Sequence, residues 1–162
     1  MNAEAFRHLY DYHFAANRKI WDSWIVELTQ EQFVQPLDYS VGSVRNHVVH
    51  LMNVDYGWFS DLRGVENPEE IDSDDLVERE KIRAQWDKVE QQMRDYLATL
   101  EDDMLFTKPF TESPDNVMDL WQVLIHVANH GTDHRAQLLR MLHDLGMKTD
   151  AQDYFFFIVG DL

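Results

Sequence analysis

The chain has 162 residues, 44% of them hydrophobic and none of them cysteine; this describes a folded protein with a sizeable core and excludes disulfides and thiolate metal sites. Thirty acidic residues against fourteen basic ones leave a formal charge of −16, a field that repels phosphate backbones, so no nucleic-acid partner is expected. The opening segment MNAEAFRHLYDYHF is charged from its first turn and has no long apolar run, so the expectation is a cytoplasmic chain with neither a signal peptide nor a membrane span.

Hydrophobic periodicity predicts four long helices within a single domain covering residues 1–162. The first runs over about residues 2–28, with Phe6, Leu9, Tyr10, Ile20, Trp24 and Leu28 on one stripe and the polar His13 and Asn17 inside it. TQEQFVQPLDYS breaks the pattern, and Pro36 ends any helix. The second helix covers about 42–63, capped by Ser40 or Ser43, with Val44, Val48, Leu51, Val54, Trp58 and Leu62 inward. RGVENPEEIDSDD reads as an acidic surface loop. The third helix, about 73–101, carries Ile82, Trp86, Val89, Met93, Leu97 and Leu100 on one side and charge on the other. FTKPFTESPDN, with two prolines, reads as extended or as a small hairpin. The fourth helix covers about 116–145 and stops at Gly146. Beyond it DYFFFIVGDL is apolar and β-prone, but too short to make a sheet alone. Four amphipathic helices on short to medium connections make an all-α four-helix bundle, an architecture that builds metal sites from side chains on facing helices.

Eight histidines is a large number for this length, and they fall in pairs and triples. In HVANHGTDHRAQLL, His126, His130 and His134 stand four residues apart. His134 lies within the apolar stripe of the fourth helix, His130 at its edge and His126 farther round. Imidazoles at i and i+4 sit about 6 Å apart along the axis and can converge on one ion, the spacing that zinc proteases use. A histidine on an apolar face is also an ordinary hydrogen-bonded core residue, so a third ligand is needed to separate the two cases. The second helix offers His47 and His50, and the wheel places His47 nearer the apolar centre. His13 on the first helix also points inward. The residues alone therefore give His130, His134 and one of His47, His50 or His13.

Three segments resemble the DinB-like family of metal-binding four-helix bundles, named for DNA-damage-inducible genes. HFAANRKIWDSW is similar to the family's W-A-N-R-x-L stretch, with Ala16 where tryptophan is usual. HLMNVDYGW matches a histidine, an acidic residue five later and a tryptophan eight later, here His50, Asp55 and Trp58. HVANHGTDHRAQL matches H-x-x-N-H-x-x-x-H-R-G-Q, with Ala136 in place of glycine. The resemblance implies that His50, His130 and His134 bind a divalent metal, which chooses His50 over the wheel's His47. It also implies a metal-dependent hydrolase, or a transferase acting on a small-molecule substrate with a low-molecular-weight thiol such as bacillithiol or mycothiol. Homodimerisation is a further implication. The other function class is a non-catalytic metal-binding or stress-response protein.

Three neutral histidines leave coordination positions open, as in catalytic rather than structural sites, and zinc and nickel both suit imidazole. Asp55, Asn17 and Asp133 are candidates for orienting ligand N–H groups, His126 reads as a supporting residue, and Arg135 as a salt-bridge partner or an anion binder. The run Tyr154–Val159 would aggregate if left in water, so it is expected to pack on the bundle, border the metal pocket or meet a second chain.

Overall fold

A computed structural model of the chain describes residues 2–65, 76–110 and 117–162. Every regular element among them is helical: α1 (Ala3–Ile20), continued by a π-helical stretch over Trp21–Ile25, then α2 (Gln30–Val34), α3 (Val44–Leu62), α4 (Arg79–Ala98), α5 (Leu120–Asp144) and α6 (Tyr154–Val159), with a 3₁₀ turn at Met104–Phe106. The acidic stretch over residues 66–75 and the proline-bearing residues 111–116 lie outside the described residues.

The helix ends follow capping chemistry. Asn2 accepts from the backbone N–H of Ala5 at the start of α1, and Ser43, not Ser40, accepts from Asn46 at the start of α3. Asp119 and Gln122 form a reciprocal capping box on α5. Gly146, at φ +91, closes that helix with Met147 N–H bonded back to the Leu142 carbonyl. Two helices are shorter than their periodicity suggests. α4 starts at Arg79, and the helical run of α1 ends at Ile25 after Val26 N–H reaches the Trp21 carbonyl, one residue wider than an α-turn. The stretch expected only as a break holds α2, a single turn nucleated by a Thr29–Gln32 capping box, anchored by the fully buried Phe33 and stopped before Pro36.

Each of the four long helices packs against two neighbours. α1 and α3 both touch α4 and α5, so α1 faces α3 across the diagonal of the bundle. The core between them holds Phe6, Tyr10, Phe14, Phe59, Met93, Leu124 and Leu138, all buried. Within it, Tyr10 stacks edge-on to Phe59 and donates its hydroxyl hydrogen bond to the Leu124 carbonyl. Its burial beside Asp55 raises the phenol well above the usual value, so the donor stays protonated.

The β-prone tail is helical instead. Asp153 caps α6 by accepting from Phe155 N–H, and Gly160 terminates it at φ +79. Tyr154 and Phe157 lie against His8 and Tyr12 of α1, while Phe155 and Ile158 keep 61% and 53% of their surface exposed. Short-range turns of the chain, capped at both ends, outweigh the strand propensity of aromatic residues that have no partner strand. α6 thus rides on α1 and not beside the histidines of α3 and α5, which corrects the expectation that the tail borders the metal pocket.

Candidate metal centre

α3 and α5 pack along their length, and this seam brings His50, His130 and His134 together. Each can offer a ring nitrogen such that the three nitrogens lie within 4.8 Å of one another. The ring centroids are 4.2 Å apart for His130 and His134, 4.6 Å for His50 and His134, and 5.5 Å for His50 and His130. Ligand nitrogens around one ion bound at about 2.0–2.1 Å stand roughly 3.3 Å apart, so small side-chain rotations complete the set. The three rings are half-buried, with one side toward solvent.

The electrostatics suit a cation. Burial, followed by the neighbouring His134, His50 and His126, pushes His130 down to about 4. Burial also lowers His134. Both imidazoles are therefore neutral near pH 7 and carry free lone pairs, the form a metal requires. His130 Nδ1 is buried and has no hydrogen-bond partner among the described residues. A buried nitrogen in that state needs a reason, and an ion or an ordered water supplies one. The residues present thus fit a divalent ion with open positions.

His47 sits one turn before His50, wholly buried, with its Nε2 3.2 Å from His134 Nδ1. Burial first, and then His134, push it down to about 4. The wheel was right that His47 is the more central of the two. The three-nitrogen group nevertheless includes His50 and leaves His47 behind His134. His126, exposed, lies edge-on to Trp58 at 5.2 Å, and Trp58 in turn meets Phe110 at 5.9 Å, forming an aromatic wall beside His130.

The other polar residues singled out from the sequence assemble elsewhere. On the α1 side of α5, Arg135 Nη1 donates to His13 Nδ1 and to Asn17 Oδ1, both at 3.1 Å. Its Nε donates to Gln152 Oε1 at 2.8 Å and its Nη2 to Thr132 Oγ1 at 3.0 Å. Arginine cannot accept, so His13 Nδ1 must be the bare nitrogen. Its proton is then on Nε2, pointing at Asp55 Oδ2 3.1 Å away. Asn17 Nδ2 also lies 3.2 Å from that Nε2, but two donors do not bond, and the contact only closes the space.

His13 is therefore a core residue and not a metal ligand. Asp55 and Asn17 orient His13 and Arg135, while Asp133 accepts from Gln137 on the outer face of α5. None of these three hydrogen bonds to His130 or His134. Arg135 is fully buried with neutral acceptors, which corrects its reading as a salt-bridge partner.

Sequence reasoning missed Gln152, which also donates to the Thr132 carbonyl, and Gly131, which makes room for the network. A Cβ on Gly131 would stand 2.5 Å from His13 Cε1. The glycine in mid-helix between His130 and His134 was the available signal for such a close approach.

The sequence profile of the DinB family matches residues 1–160. Protein DinB of Bacillus subtilis (strain 168) is 28% identical over 167 aligned positions, covering 95% of this chain and 93% of that protein. A match that runs through all four long helices and both histidine-bearing segments shows the family, and the chain belongs to the DinB family.

Proposed function

We propose that the protein is a divalent-metal enzyme in which His50, His130 and His134 would hold a zinc or nickel ion, and that a low-molecular-weight thiol there would give its proton to solvent and add through sulfur to an electrophilic small-molecule substrate. The observation that carries this reading is the convergence of three imidazoles on the α3–α5 seam with one side open. A divalent ion there would supply a concentrated positive charge that lowers the pKa of a bound thiol or water.

A thiol is favoured over water by what the chain's own residues do. A thiol starts near pKa 8.5 and needs little help to ionise, whereas water starts near 15.7. The same ion would bring a bound water to about pKa 7, but the two carboxylates singled out from the sequence are not placed to pass its proton on: Asp55 is engaged with His13 and Asp133 lies on the outer face of α5. Three uncharged ligands leave the ion's charge unbalanced, which favours an anionic thiolate. Trp58, His126 and Phe110 give the apolar part of a substrate a wall to rest on. A hydrolase using the same ion is the second reading, and a non-catalytic metal-binding stress-response protein the third.

Two further parts of the proposal concern assembly and place. The exposed face of α6 is covered by a second copy of the chain. The location is the cytoplasm, where such thiols are abundant; no helix among the described residues is long and apolar enough to cross a membrane.

Elemental analysis of the purified protein should give about one zinc or nickel per chain, and His130→Ala should lose it. Loss of thiol in the presence of an electrophile, abolished by a chelator and restored by the ion, would support the transferase. Ester or amide cleavage without any thiol would move the reading to a hydrolase. Full metal content in His130→Ala would remove the site.

A further inference from the structure

We propose that His47 is a positioning residue for the metal centre: it accepts a hydrogen bond from the Nδ1–H of His134 and so turns His134 Nε2 toward the ion. The inference rests on the metal-binding reading above and adds to it a residue outside the ligand set.

The geometry carries it in three steps. First, a neutral imidazole that gives the lone pair of one ring nitrogen to a metal must carry its proton on the other. His134 Nδ1 has His47 Nε2 at 3.2 Å. If His134 ligates through Nε2, its Nδ1–H has this acceptor already in place. The hydrogen bond then sets both the tautomer and the ring plane, the role that second partners of metal-bound histidines play.

Second, His47 is not a fourth ligand. The nitrogens of His50, His130 and His134 are all mutually within 4.8 Å, and His47 does not join that group. Its ring meets His134 at 5.1 Å and 62°, edge against face, on the side of His134 away from solvent.

Third, its remaining nitrogen is consistent with this assignment. In this tautomer His47 carries its proton on Nδ1, a buried atom with no partner among the described residues. The usual partner of a metal-bound histidine is a carboxylate or a backbone carbonyl. Here Asp55 is bonded to His13 across the bundle and Asp133 accepts from Gln137 on the outer face of α5 instead. An imidazole acceptor leaves His134 an uncharged, weaker donor and the ion correspondingly more electrophilic.

Zinc affinity, measured by competition with a chromogenic chelator, tests the proposal on three proteins. His47→Gln keeps an acceptor oxygen near the position of Nε2, and His47→Leu keeps bulk without one. The expected result is a 10- to 100-fold weaker affinity for His47→Leu, about the size of other second-partner losses, and less than about threefold for His47→Gln. Long-range ¹H–¹⁵N correlation on the zinc-loaded parent should place the His134 proton on Nδ1. Affinity unchanged in His47→Leu, or equal losses in both variants, would overturn the proposal by reducing His47 to packing. A His134 proton on Nε2, or a fourth imidazole in the zinc shell by X-ray absorption, would overturn it independently and needs no variant to fold. A parent that binds no zinc defeats the metal reading itself, whereas a zinc-binding parent indifferent to His47→Leu defeats only this inference.

Discussion

α5 carries two polar clusters on its two sides, and neighbouring residues belong to different ones. His134 faces α3 and Arg135 faces α1. The Arg135 side is saturated: His13, Asn17, Thr132 and Gln152 give each guanidinium nitrogen a partner within 3.1 Å, and Asp55 accepts from His13 behind them. The His134 side is not: among the described residues His130 Nδ1 and His47 Nδ1 are buried without a partner. Burial alone does not tell a structural polar group from a ligand-seeking one. The count of satisfied donors and acceptors does, because a closed network has nothing left to offer an ion.

Breaking the closed cluster should have the largest effect. Arg135→Met strands the acceptors of His13 and Asn17 in the core and that of the half-buried Gln152 beside it, and Gly131→Ala drives a Cβ into the His13 ring. Arg135→Met is expected to lower the unfolding free energy in urea by about 3–5 kcal/mol, from several buried acceptors left unmet at about 1–3 kcal/mol each, and Gly131→Ala by about 1–3 kcal/mol, the cost of overpacking. His130→Leu, on the open side, should leave the metal-free protein within about 0.5 kcal/mol of the parent while abolishing metal binding. Similar losses on both sides would erase the distinction.

Acid gives the next effect, and its sign follows from the lowered imidazoles. His47 and His130 titrate near 4 in the folded chain but near 6.5 when unfolded. Between those values the unfolded chain binds more protons, so stability is full above pH 6.5 and falls as pH drops toward 4. Chelator-treated protein should lose about 2–3 kcal/mol across that window, chiefly from the fully buried His47, since solvent screens the half-buried His130. His47→Gln should flatten most of the slope. A slope as steep in that variant would assign the loss to other groups.

The smallest change in stability belongs to a third region. Phe155→Ser with Ile158→Ser alters side chains already exposed, so the fold should shift by less than about 0.5 kcal/mol. Light scattering should nonetheless change from twice the chain mass to 19.3 kDa. A parent that scatters as 19.3 kDa removes the second copy from the account of α6.

The four long helices were legible because each buries a continuous stripe, and stripes show in a single sequence. Gly146 marked the end of α5 for a similarly local reason, since a left-handed residue is needed there. α2 was not legible: five residues with one buried phenylalanine make no periodic signal, and the Thr29–Gln32 capping box was the only trace. α6 was misread because propensity says nothing about whether a partner strand exists.

In the site, i and i+4 spacing placed His130 and His134 together, and the family resemblance selected His50. The wheel ranks residues by depth, and depth favoured His47, which lies deeper and behind His134. The roles of Asp55 and Arg135 depend on which helices are diagonal neighbours. That is a property of the packed bundle which no single helix records.

Gln152 has a consequence for how the chain is made. It meets Tyr12 through its carbonyl and Arg135 through its side chain, so the innermost cation of the bundle is completed by a residue 140 positions after Tyr12. A ribosome releases the segments in order, α1 first. A nascent chain that has exposed α1, α3 and even all of α5 still holds an arginine whose Nε has no acceptor in the core. Until residue 152 has emerged, closing the bundle means burying that unmet donor, which penalises early collapse and delays the final packing step until the segment after α5 can swing back across α1.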